Sequence, residues 1–466
     1  MSKIRDDFNG YLAIGEDCFA CFVRRNQVIV LPASSHGKER MDAVDRVRSR
    51  DTSTPEFLYG NDGNSRIALL RTGGFHTSVL GMDPTVRFGA PMIVKEAGNA
   101  NGFFNMLTSE WNTFHAITFV GGNINSICNP QVAMVPQDEP FHRDGSREIR
   151  VLPWDQYGRE IAVEIDGEKA TLTFSVSQAG DGHDHERMDV YSLGELNSLL
   201  RLTFDRPQPY DQIPRYYGIV RDLVALLTGQ NNVTFDIYLS QKSRKGGLFT
   251  TAHCKAFDSY ENYAKKSFLQ TISLFSVFDQ LPGLVEKLAK HEADPLLELL
   301  PEDNRKARLI SITDVQNLCT ALEVAYGWKK RPRQKDALVK ELKDNIKETI
   351  DVFIRSHPEI DPYQEATLSS AFQYLDYTLR EKILTLYQEN SGLIDEISRK
   401  HRLPQVDQDT VAAFVKLRNR KAHSGTVDWG ESAAIYQPLF VLVYGCFFRF
   451  VGVPDDLRDR FLTLVF

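Results

Sequence analysis

The sequence lacks an apolar run long enough to span a membrane. The nearest approach among its 466 residues is PLFVLVYGCFFRF (438–450), which is short and contains Arg449. A membrane-spanning helix needs about 20 consecutive apolar residues, so this segment predicts a buried helix and no membrane partner. The N-terminal residues MSKIRDDFNGYLAIG also lack the apolar core of a signal peptide. Together these features predict a cytoplasmic protein.

The sequence has few cysteines and no convincing metal motif. Its six cysteines are scattered, as expected for reduced thiols in the cytosol. Cys18 and Cys21 form one CxxC pair, but a zinc site needs a second pair of ligands, and two small apolar residues in a strand are the alternative. The segment GDGHDHE (180–186) is a polar, glycine-containing loop. There is no P-loop, no GxSxG motif and no Gly-rich phosphate loop, so the use of ATP is unsupported. With no convincing set of metal ligands either, we expect neither a metal nor a cofactor.

The charge balance is acidic, with 62 Asp and Glu against 55 Lys and Arg and a net charge of −7. This balance argues against a protein coated in nucleic acid, although it leaves room for a local basic groove. The segment WKKRPRQK (328–335) is one candidate for contacting RNA phosphates. The alternative is an ordinary solvated loop.

The first half of the chain has the pattern of a β-rich domain, assigned to residues 1–248. Short β-branched and aromatic runs alternate with Gly, Asn and Asp. The clearest hairpin covers 159–177, where Asp166 and Gly167 suit a type I′ turn. One helix is predicted over 211–229, followed by a further strand. The basic segment QKSRKGG (241–247) is predicted to be an exposed loop close to the domain boundary.

The second half, residues 249–466, has the 3.6-residue apolar periodicity of amphipathic helices. Helices joined by short loops form a bundle, so the predicted fold class is α+β, a β-rich domain followed by an all-α domain. The predicted helices cover 263–281, 311–329, 336–357 and 367–387, then GLIDEISRKHRL, DQDTVAAFVKLRNRKAHSG and ESAAIYQPLFVLVYGCFFRF.

The segment RNRKAHSG (418–425) places polar side chains where an apolar stripe is expected to continue. That stripe begins with Val411, Phe414 and Val415. Arg418 and Asn419 follow Val415 at helical spacing, and His423 follows Asn419 by four residues. Local rules broken in this way tend to mark functional sites. Asn419 can hydrogen-bond His423 and fix its tautomer, and Gly425 lets the helix end. The alternative is a helix-capping His beside a solvated Arg.

The Arg-x4-His spacing has little specificity by itself. The same spacing joins Arg71 to His76 in RTGGFH, which is predicted to be a glycine turn between strands. The context of Arg418 differs, because an Asn follows the Arg and the segment ends a helix of a C-terminal bundle.

FVKLRNRKAHSG resembles the Rx4-6H signature of HEPN domains, which are helical nucleotide- and RNA-binding bundles. Residues 311–450 match the order of such a bundle, with the motif near its end and an apolar helix last. The β-rich first half, LCTALEVAYGW and LRNRKAHSG together resemble the ApeA group of anti-phage HEPN proteins. Some HEPN toxins have a Tyr two residues after the His, where this chain has Gly425.

This resemblance implies a metal-independent endoribonuclease of abortive infection, which cleaves host RNA, for example tRNA, after sensing a phage-encoded trigger. Arg418 is implied to stabilise the phosphate, His423 to transfer a proton and Asn419 to orient them. Two motifs are implied to face each other across a homodimer or a higher homo-oligomer, with a sensing or regulatory role for the N-terminal domain.

Two alternatives stay open at this point. One is a non-catalytic HEPN module that binds RNA or a protein, and the other is a structural dimer whose polar residues specify pairing. Glu323, on a predicted helix, either pairs with Arg418 inside the bundle or faces water.

Overall fold

A computed structural model describes most of the chain, which divides into two compact units. The first unit comprises Met1–Lys290 with Pro301–Asn304, and the second comprises His291–Leu300 with Arg305–Phe466. The first unit is β-rich and the second is helical, which confirms the predicted α+β class. The described residues are 7–34, 36–50, 53–63, 65–80, 83–96, 112–136, 149–151, 157–178, 196–257, 268–302, 310–329, 337–370, 377–424 and 434–465.

A closed barrel of six antiparallel strands begins the first unit. The strands follow the order β6-β3-β2-β1-β4-β5, and β5 pairs again with β6 to close the ring. Helix α1 (Gly37–Arg48) adds Ala43, Val44 and Val47 to the barrel's buried apolar cluster. The strands are β1 (Asp7–Ile14), β2 (Asp17–Arg24), β3 (Gln27–Pro32), β4 (Glu56–Asn61), β5 (Arg66–Leu80) and β6 (Asp83–Glu96).

An open antiparallel sheet continues from the barrel through the shared strand β6. One edge of β6 pairs with β3 at Val86–Gly89 and with β14 at Met92–Glu96. The open sheet has the order β10-β11-β12-β7-β13-β14-β6. Its further strands are β7 (Thr113–Val120), β10 (Arg159–Ile165), β11 (Glu168–Gln178), β12 (Leu196–Pro209), β13 (Asp236–Lys242) and β14 (Leu248–Ala256), while β8 (Met134–Pro136) and β9 (Ile149–Val151) pair separately.

Local sequence signals correctly predicted two elements of this unit. Asp166 and Gly167 join β10 to β11 with φ of 50° and 87°, as a type I′ turn requires. The predicted helix over 211–229 is α3 (Ile213–Thr228), which Gly229 ends in a left-handed conformation with φ of 65°. Two other helices belong to this unit, α2 (Ile124–Ile127) and α4 (Leu281–Ala289).

The segment QKSRKGG (241–247) lies within the sheet and not beside a domain boundary. It is the turn of a hairpin, because Lys242 of β13 is the register partner of Leu248 of β14. Strand β14 then pairs with β6, so the sheet continues past the boundary predicted at residue 248. The first unit extends to Lys290.

The helix predicted over 263–281 is wrong in its described part. Residues 263–267 lie outside the described residues, and two short 3-10 helices follow, Phe268–Gln270 and Leu274–Gln280. Between them, the Thr271 hydroxyl donates to the Ser126 carbonyl at 2.6 Å, and the Ile272 amide donates to the Leu227 carbonyl at 2.9 Å. These bonds tie the segment to α2 and α3, and so replace the hydrogen bonds of a regular helix.

The second unit is a helical bundle centred on α6, α9 and α11. Its helices are α5 (Asp294–Leu297), α6 (Ile312–Trp328), α7 (Ala337–Ser356), α8 (Pro362–Ser370), α9 (Leu379–His401), α10 (Gln408–Ser424), α11 (Tyr436–Phe450) and α12 (Asp455–Val465). Helix α6 matches the prediction over 311–329 and begins with a capping box between Ser311 and Asp314. Its predicted stripe of Val315, Leu318, Leu322 and Ala325 is buried.

The helix predicted over 367–387 is interrupted. Helix α8 reaches Ser370, residues 371–376 lie outside the described part, and α9 begins at Leu379. Thr378 caps α9, because its amide donates to the Glu381 carboxylate at 2.7 Å and its hydroxyl accepts from the Glu381 amide at 3.3 Å. The segment GLIDEISRKHRL, predicted as a separate helix, continues α9 to His401.

Within the described residues, the chain contains no helix with the length and apolarity needed to cross a membrane.

Candidate functional site

Helix α10 carries all three residues of the predicted site. Asp407 caps its first turn, since one carboxylate oxygen accepts from the Asp409 amide at 2.9 Å and the Thr410 amide at 2.8 Å. The bond from the Thr410 amide is the main reason why the pKa of Asp407 lies below its ordinary value. The helix continues through Ser424, so Arg418, Asn419 and His423 lie in its last two turns. The side chains of Asn419 and His423 lie outside the described part of the structure.

Arg418 does not continue the buried face, contrary to the sequence interpretation. Val411, Phe414 and Leu417 are buried, whereas the Arg418 side chain is exposed. Three residues turn an α-helix by about 300° and not by a full turn. Buried residues at three-residue spacing, Val411, Phe414 and Leu417, therefore shift gradually around the helix, and Leu417 takes the buried position next to Arg418. The guanidinium thus lies at the surface, as the alternative of a solvated Arg had it.

The charge of Arg418 acts on a buried thiol of α6. Burial raises the pKa of Cys319 to about 12, Arg418 opposes this rise, and the carboxylate of Glu323 adds to it. Cys319 is 1% exposed, so it is a neutral core residue and not a nucleophile. The opposing effects place Arg418 and Glu323 within electrostatic range of the same thiol.

Glu323 lies at the surface of the bundle, where it forms an ion pair with Lys382 of α9 at 3.6 Å. It is therefore exposed, as one of the two sequence alternatives had it, but it is also paired. Charges from α6, α9 and α10 thus lie in one region of the second unit. Sequence reasoning missed Lys382, because no local pattern relates the first turn of α9 to the middle of α6.

The described part of the basic segment 328–335 is engaged within the bundle. The Trp328 ring stacks on Phe450 with centroids 5.4 Å apart and an interplanar angle of 8°, and it meets Phe447 edge-on at 5.4 Å. Lys329 forms an ion pair with Glu389 at 3.3 Å. Trp328 therefore packs between helices, and residues 330–335 lie outside the described part.

Cys18 and Cys21 are three residues apart in β2, so their side chains point to opposite faces of the strand. Cys18 is exposed and Cys21 is buried, which is not an arrangement for binding one ion together. Across the described residues, no group of three His, Cys, Asp or Glu side chains could hold a metal ion. The segment GDGHDHE (180–186) lies outside them.

Arg71, the other arginine with a His five residues later, is a structural residue. It lies within β5, where a register shift follows it, and not in a turn between strands as predicted. Its side chain is 1% exposed and donates to Glu56 at 3.1 Å, to the Thr54 carbonyl at 2.9 Å and to the Gly73 carbonyl. His76 is exposed.

The first unit also contains a cleft of about 530 Å³ between β10, β11, β12 and α4. Its charged lining residues are Glu164, Lys169, Asp205 and Glu286. Glu286 already forms an ion pair with Lys290 at 2.6 Å. This mixture of charges selects no ligand class.

No family model, curated protein or solved structure matches the chain.

Proposed function

We propose that the second unit is a HEPN-type, metal-independent endoribonuclease with Arg418, Asn419 and His423 as its site residues. Acting in the bacterial cytoplasm, the protein would cleave host RNA, with tRNA as one candidate, after sensing a phage-encoded trigger. The first unit would have the sensing or regulatory role.

The observation that carries the proposal is the position of Arg418. A guanidinium exposed near the end of a bundle helix can reach a phosphate, whereas one enclosed like Arg71 cannot. The backbone of α10 also keeps Asn419 and His423 four residues apart on one continuous helix, the spacing at which side chains become neighbours. The resemblance of FVKLRNRKAHSG to the HEPN signature supports the choice of reaction.

The reaction suits these residue types. The RNA 2′-oxygen attacks the adjacent phosphorus and loses its proton, while the bond from phosphorus to the 5′-oxygen breaks and that oxygen gains a proton. A histidine can perform either proton transfer. An arginine donates to the phosphate oxygens as their negative charge increases. The products are a 2′,3′-cyclic phosphate and a 5′-hydroxyl.

We propose further that the active species is a homodimer or a higher homo-oligomer. The reaction needs one proton acceptor and one proton donor, and each motif contains one histidine. Two motifs that face each other would supply both in a single cleft.

The test is incubation of the purified full-length protein with total RNA and with a defined tRNA, in EDTA and in Mg²⁺. We expect the cyclic phosphate and 5′-hydroxyl ends in both buffers, and His423→Ala should lower the rate roughly 10²- to 10⁴-fold without lowering the melting temperature. Arg418→Ala should also abolish cleavage.

Two exposed residues provide matched controls. Lys416 lies on α10 two residues before Arg418, and His401 lies at the end of α9, so alanine at either position should leave cleavage intact. Activity that disappears in EDTA and returns with Mg²⁺ would contradict the mechanism. RNA binding without cleavage would favour the non-catalytic binding module.

A further inference from the structure

Arg380 is an arginine of the second unit that no contact within the described chain explains. It lies in the first turn of α9, and its side chain is partly buried. Its Nε is buried without a hydrogen-bond partner, and among the described residues no hydrogen bond or ion pair engages this guanidinium. A buried polar atom without a partner costs free energy. The fold itself therefore gives no reason for an arginine at this position.

The place of Arg380 in α9 is also unfavourable for folding. The positive end of the helix macrodipole repels a cation in the first turn. Thr378 and Glu381 form a capping box that satisfies amides of this helix end. The guanidinium, and not the helix end, is therefore the candidate anion-binding group. A residue that breaks a local rule without compensation within the fold indicates a functional position.

Two ion pairs fix the level of this turn relative to α6. Lys382 contacts Glu323 at 3.6 Å, and further along both helices Glu389 contacts Lys329 at 3.3 Å. Helices α6 and α9 therefore run parallel, with the first turn of α9 beside the middle of α6. Cys319 lies one turn before Glu323, so it is level with the start of α9.

Arg418 lies at the same level of the bundle. Burial raises the pKa of Cys319, and the charge of Arg418 opposes this rise, which places Arg418 near a thiol that is level with the start of α9. Helices α9 and α10 are consecutive and joined by residues 402–407, and a short connection of this kind makes neighbouring helices antiparallel. Both observations place the last turns of α10 beside the first turn of α9.

Arg380 lies on the edge of α9 that faces α10. Tyr387 follows it by about two helical turns, so both side chains leave the same edge of the helix. Burial raises the pKa of Tyr387 to about 12, and the bond to Asp395 and the charge of Asp407 add to this rise. Asp407 caps α10, so α10 is the neighbour of this edge. Arg380 and Arg418 therefore lie at one level on adjacent helices.

We propose that Arg380 binds the RNA phosphate next to the one that Arg418 contacts. The inference rests on the proposed ribonuclease function and extends its substrate-binding surface from α10 to α9. The axes of packed helices lie about 8–10 Å apart, so arginines on adjacent helices suit successive phosphates of one strand. The phosphate at Arg380 does not react, so this residue contributes to substrate binding and not to the chemical step.

The test compares RNA binding and cleavage by the full-length protein with those of its Arg380→Gln variant. Binding is measured by fluorescence anisotropy over a series of salt concentrations, with a single-stranded 2′-O-methyl oligoribonucleotide that lacks the nucleophile and so resists cleavage. We expect Arg380→Gln to weaken binding about 10- to 100-fold. The slope of log Kd against log salt should fall by about 0.7, the share of one phosphate contact with a single strand.

Cleavage of unmodified RNA provides a second measurement. Arg380→Gln should raise KM by a similar factor and leave kcat nearly unchanged, because the lost contact is the same in the bound substrate and in the transition state. A residue that only supports the fold would not change the salt slope.

Arg399→Gln is the matched control. Arg399 is exposed in the last turn of the same helix, about 28 Å from Arg380 along the axis, which exceeds the screening length at ordinary salt. This variant removes the same charge from the same helix and should bind like the wild type. Arg380→Met keeps an apolar stem in the partly buried space, so it decides the outcome if Arg380→Gln lowers the melting temperature.

The role of Arg380 and the ribonuclease proposal fail separately. If the wild type cleaves RNA and both Arg380 variants match its affinity, salt slope and KM, the role of Arg380 is wrong and the nuclease stands. An equal loss of binding from Arg399→Gln would also overturn that role. If the wild type binds the oligonucleotide but cleaves no RNA, the nuclease is wrong, and weaker binding by Arg380→Gln would still support the phosphate contact. A wild type that neither binds nor cleaves RNA would overturn both.

Discussion

Arg71 and Arg418 share a sequence spacing but have opposite environments. Arg71 is enclosed, with its guanidinium bound to Glu56 and to two backbone carbonyls and with Phe75 at 5.0 Å. Arg418 is exposed on a helix. A guanidinium enclosed by the fold and bonded to it holds that fold together, whereas a ligand can reach a guanidinium at the surface. The Arg-x4-His spacing alone therefore does not define the role of the arginine, and the burial of its side chain does.

Arg71→Ala is expected to destabilise the first unit by about 3 kcal/mol, because it removes an enclosed side chain and leaves two backbone carbonyls without their donor, while Glu56 keeps its ion pair with Arg50 at 3.3 Å. Urea denaturation of the full chain measures the change. Arg87→Ala is the control, since Arg87 is exposed on the neighbouring strand β6 and its loss should cost less than about 0.5 kcal/mol. Equal losses from both variants would contradict the structural role of Arg71.

Glu96 is a buried carboxyl at the end of β6. It is 6% exposed and accepts a hydrogen bond from the Tyr210 hydroxyl at 3.5 Å. Burial raises the pKa of Glu96 to about 7, against the opposing charge of Arg66 and the bond from Tyr210. The folded protein therefore holds this proton more tightly than the unfolded chain does.

The raised pKa of Glu96 predicts that folding becomes less stable as pH rises. Its contribution is complete below the unfolded pKa of about 4.3 and is lost as pH approaches 7, a change of up to about 3 kcal/mol. Glu96→Gln keeps a neutral acceptor for Tyr210, so it should be more stable than the wild type at pH 8 and similar at pH 4. Urea denaturation at both pH values measures this, and an identical pH dependence in both proteins would refute it.

At the scale of elements, the backbones of the paired barrel strands β1 and β4 approach each other closely at two glycines. The registers pair Tyr11 with Asn61 and Leu12 with Gly60. A Cβ atom added at Gly60 would overlap the Tyr11 carbonyl oxygen, and one added at Gly10 would overlap the Asn61 carbonyl oxygen. Glycine at these two positions is therefore a condition for this strand pair.

Gly60→Ala is expected to lower the stability of the first unit by about 2 kcal/mol or more, since backbone atoms must shift to admit the methyl group. Gly218→Ala is the control, because Gly218 lies in α3 with no atom within 4 Å of an added Cβ. There alanine should raise stability by about 0.5–1 kcal/mol. Thermal denaturation of both variants distinguishes a steric effect from a general cost of replacing glycine.

The elements predicted correctly from sequence are those with local causes. The Asp166-Gly167 turn and the capped helix α6 depend on residues close in the chain. Residues 268–281 have helical periodicity, but their donors bind carbonyls of Ser126 and Leu227, which no local pattern reveals. The sheet order has the same limitation, because β7 pairs with β12 and β13, which are distant in sequence.

The candidate site was predicted from sequence only in part. The helix that carries Arg418, Asn419 and His423 is present, because its apolar spacing and the Asp407 cap are local. The exposure of Arg418 depends on which residues of α10 are buried in the bundle. Leu417 is buried, and its neighbour Arg418 is therefore turned to the surface.

At the scale of the whole molecule, a strand pair sets the extent of the first unit. A composition change near residue 247 suggested the boundary, but β14 completes the sheet beyond it and the first unit extends to Lys290. Loop composition reports exposure, and a hairpin turn is as exposed as a linker. Only pairing partners distinguish the two.

The oligomer proposal predicts dominance of an inactive chain at this same scale. If one cleft needs two motifs, a wild-type chain paired with an Arg418→Ala chain is inactive. Co-assembly with a tenfold excess of Arg418→Ala should therefore reduce cleavage per wild-type chain to about one tenth, since most wild-type chains then lie in mixed dimers. Lys416→Ala in the same excess should cause no such reduction, because both motifs remain complete. Unchanged cleavage per wild-type chain, or a fully active monomer in sedimentation, would show that each chain acts alone.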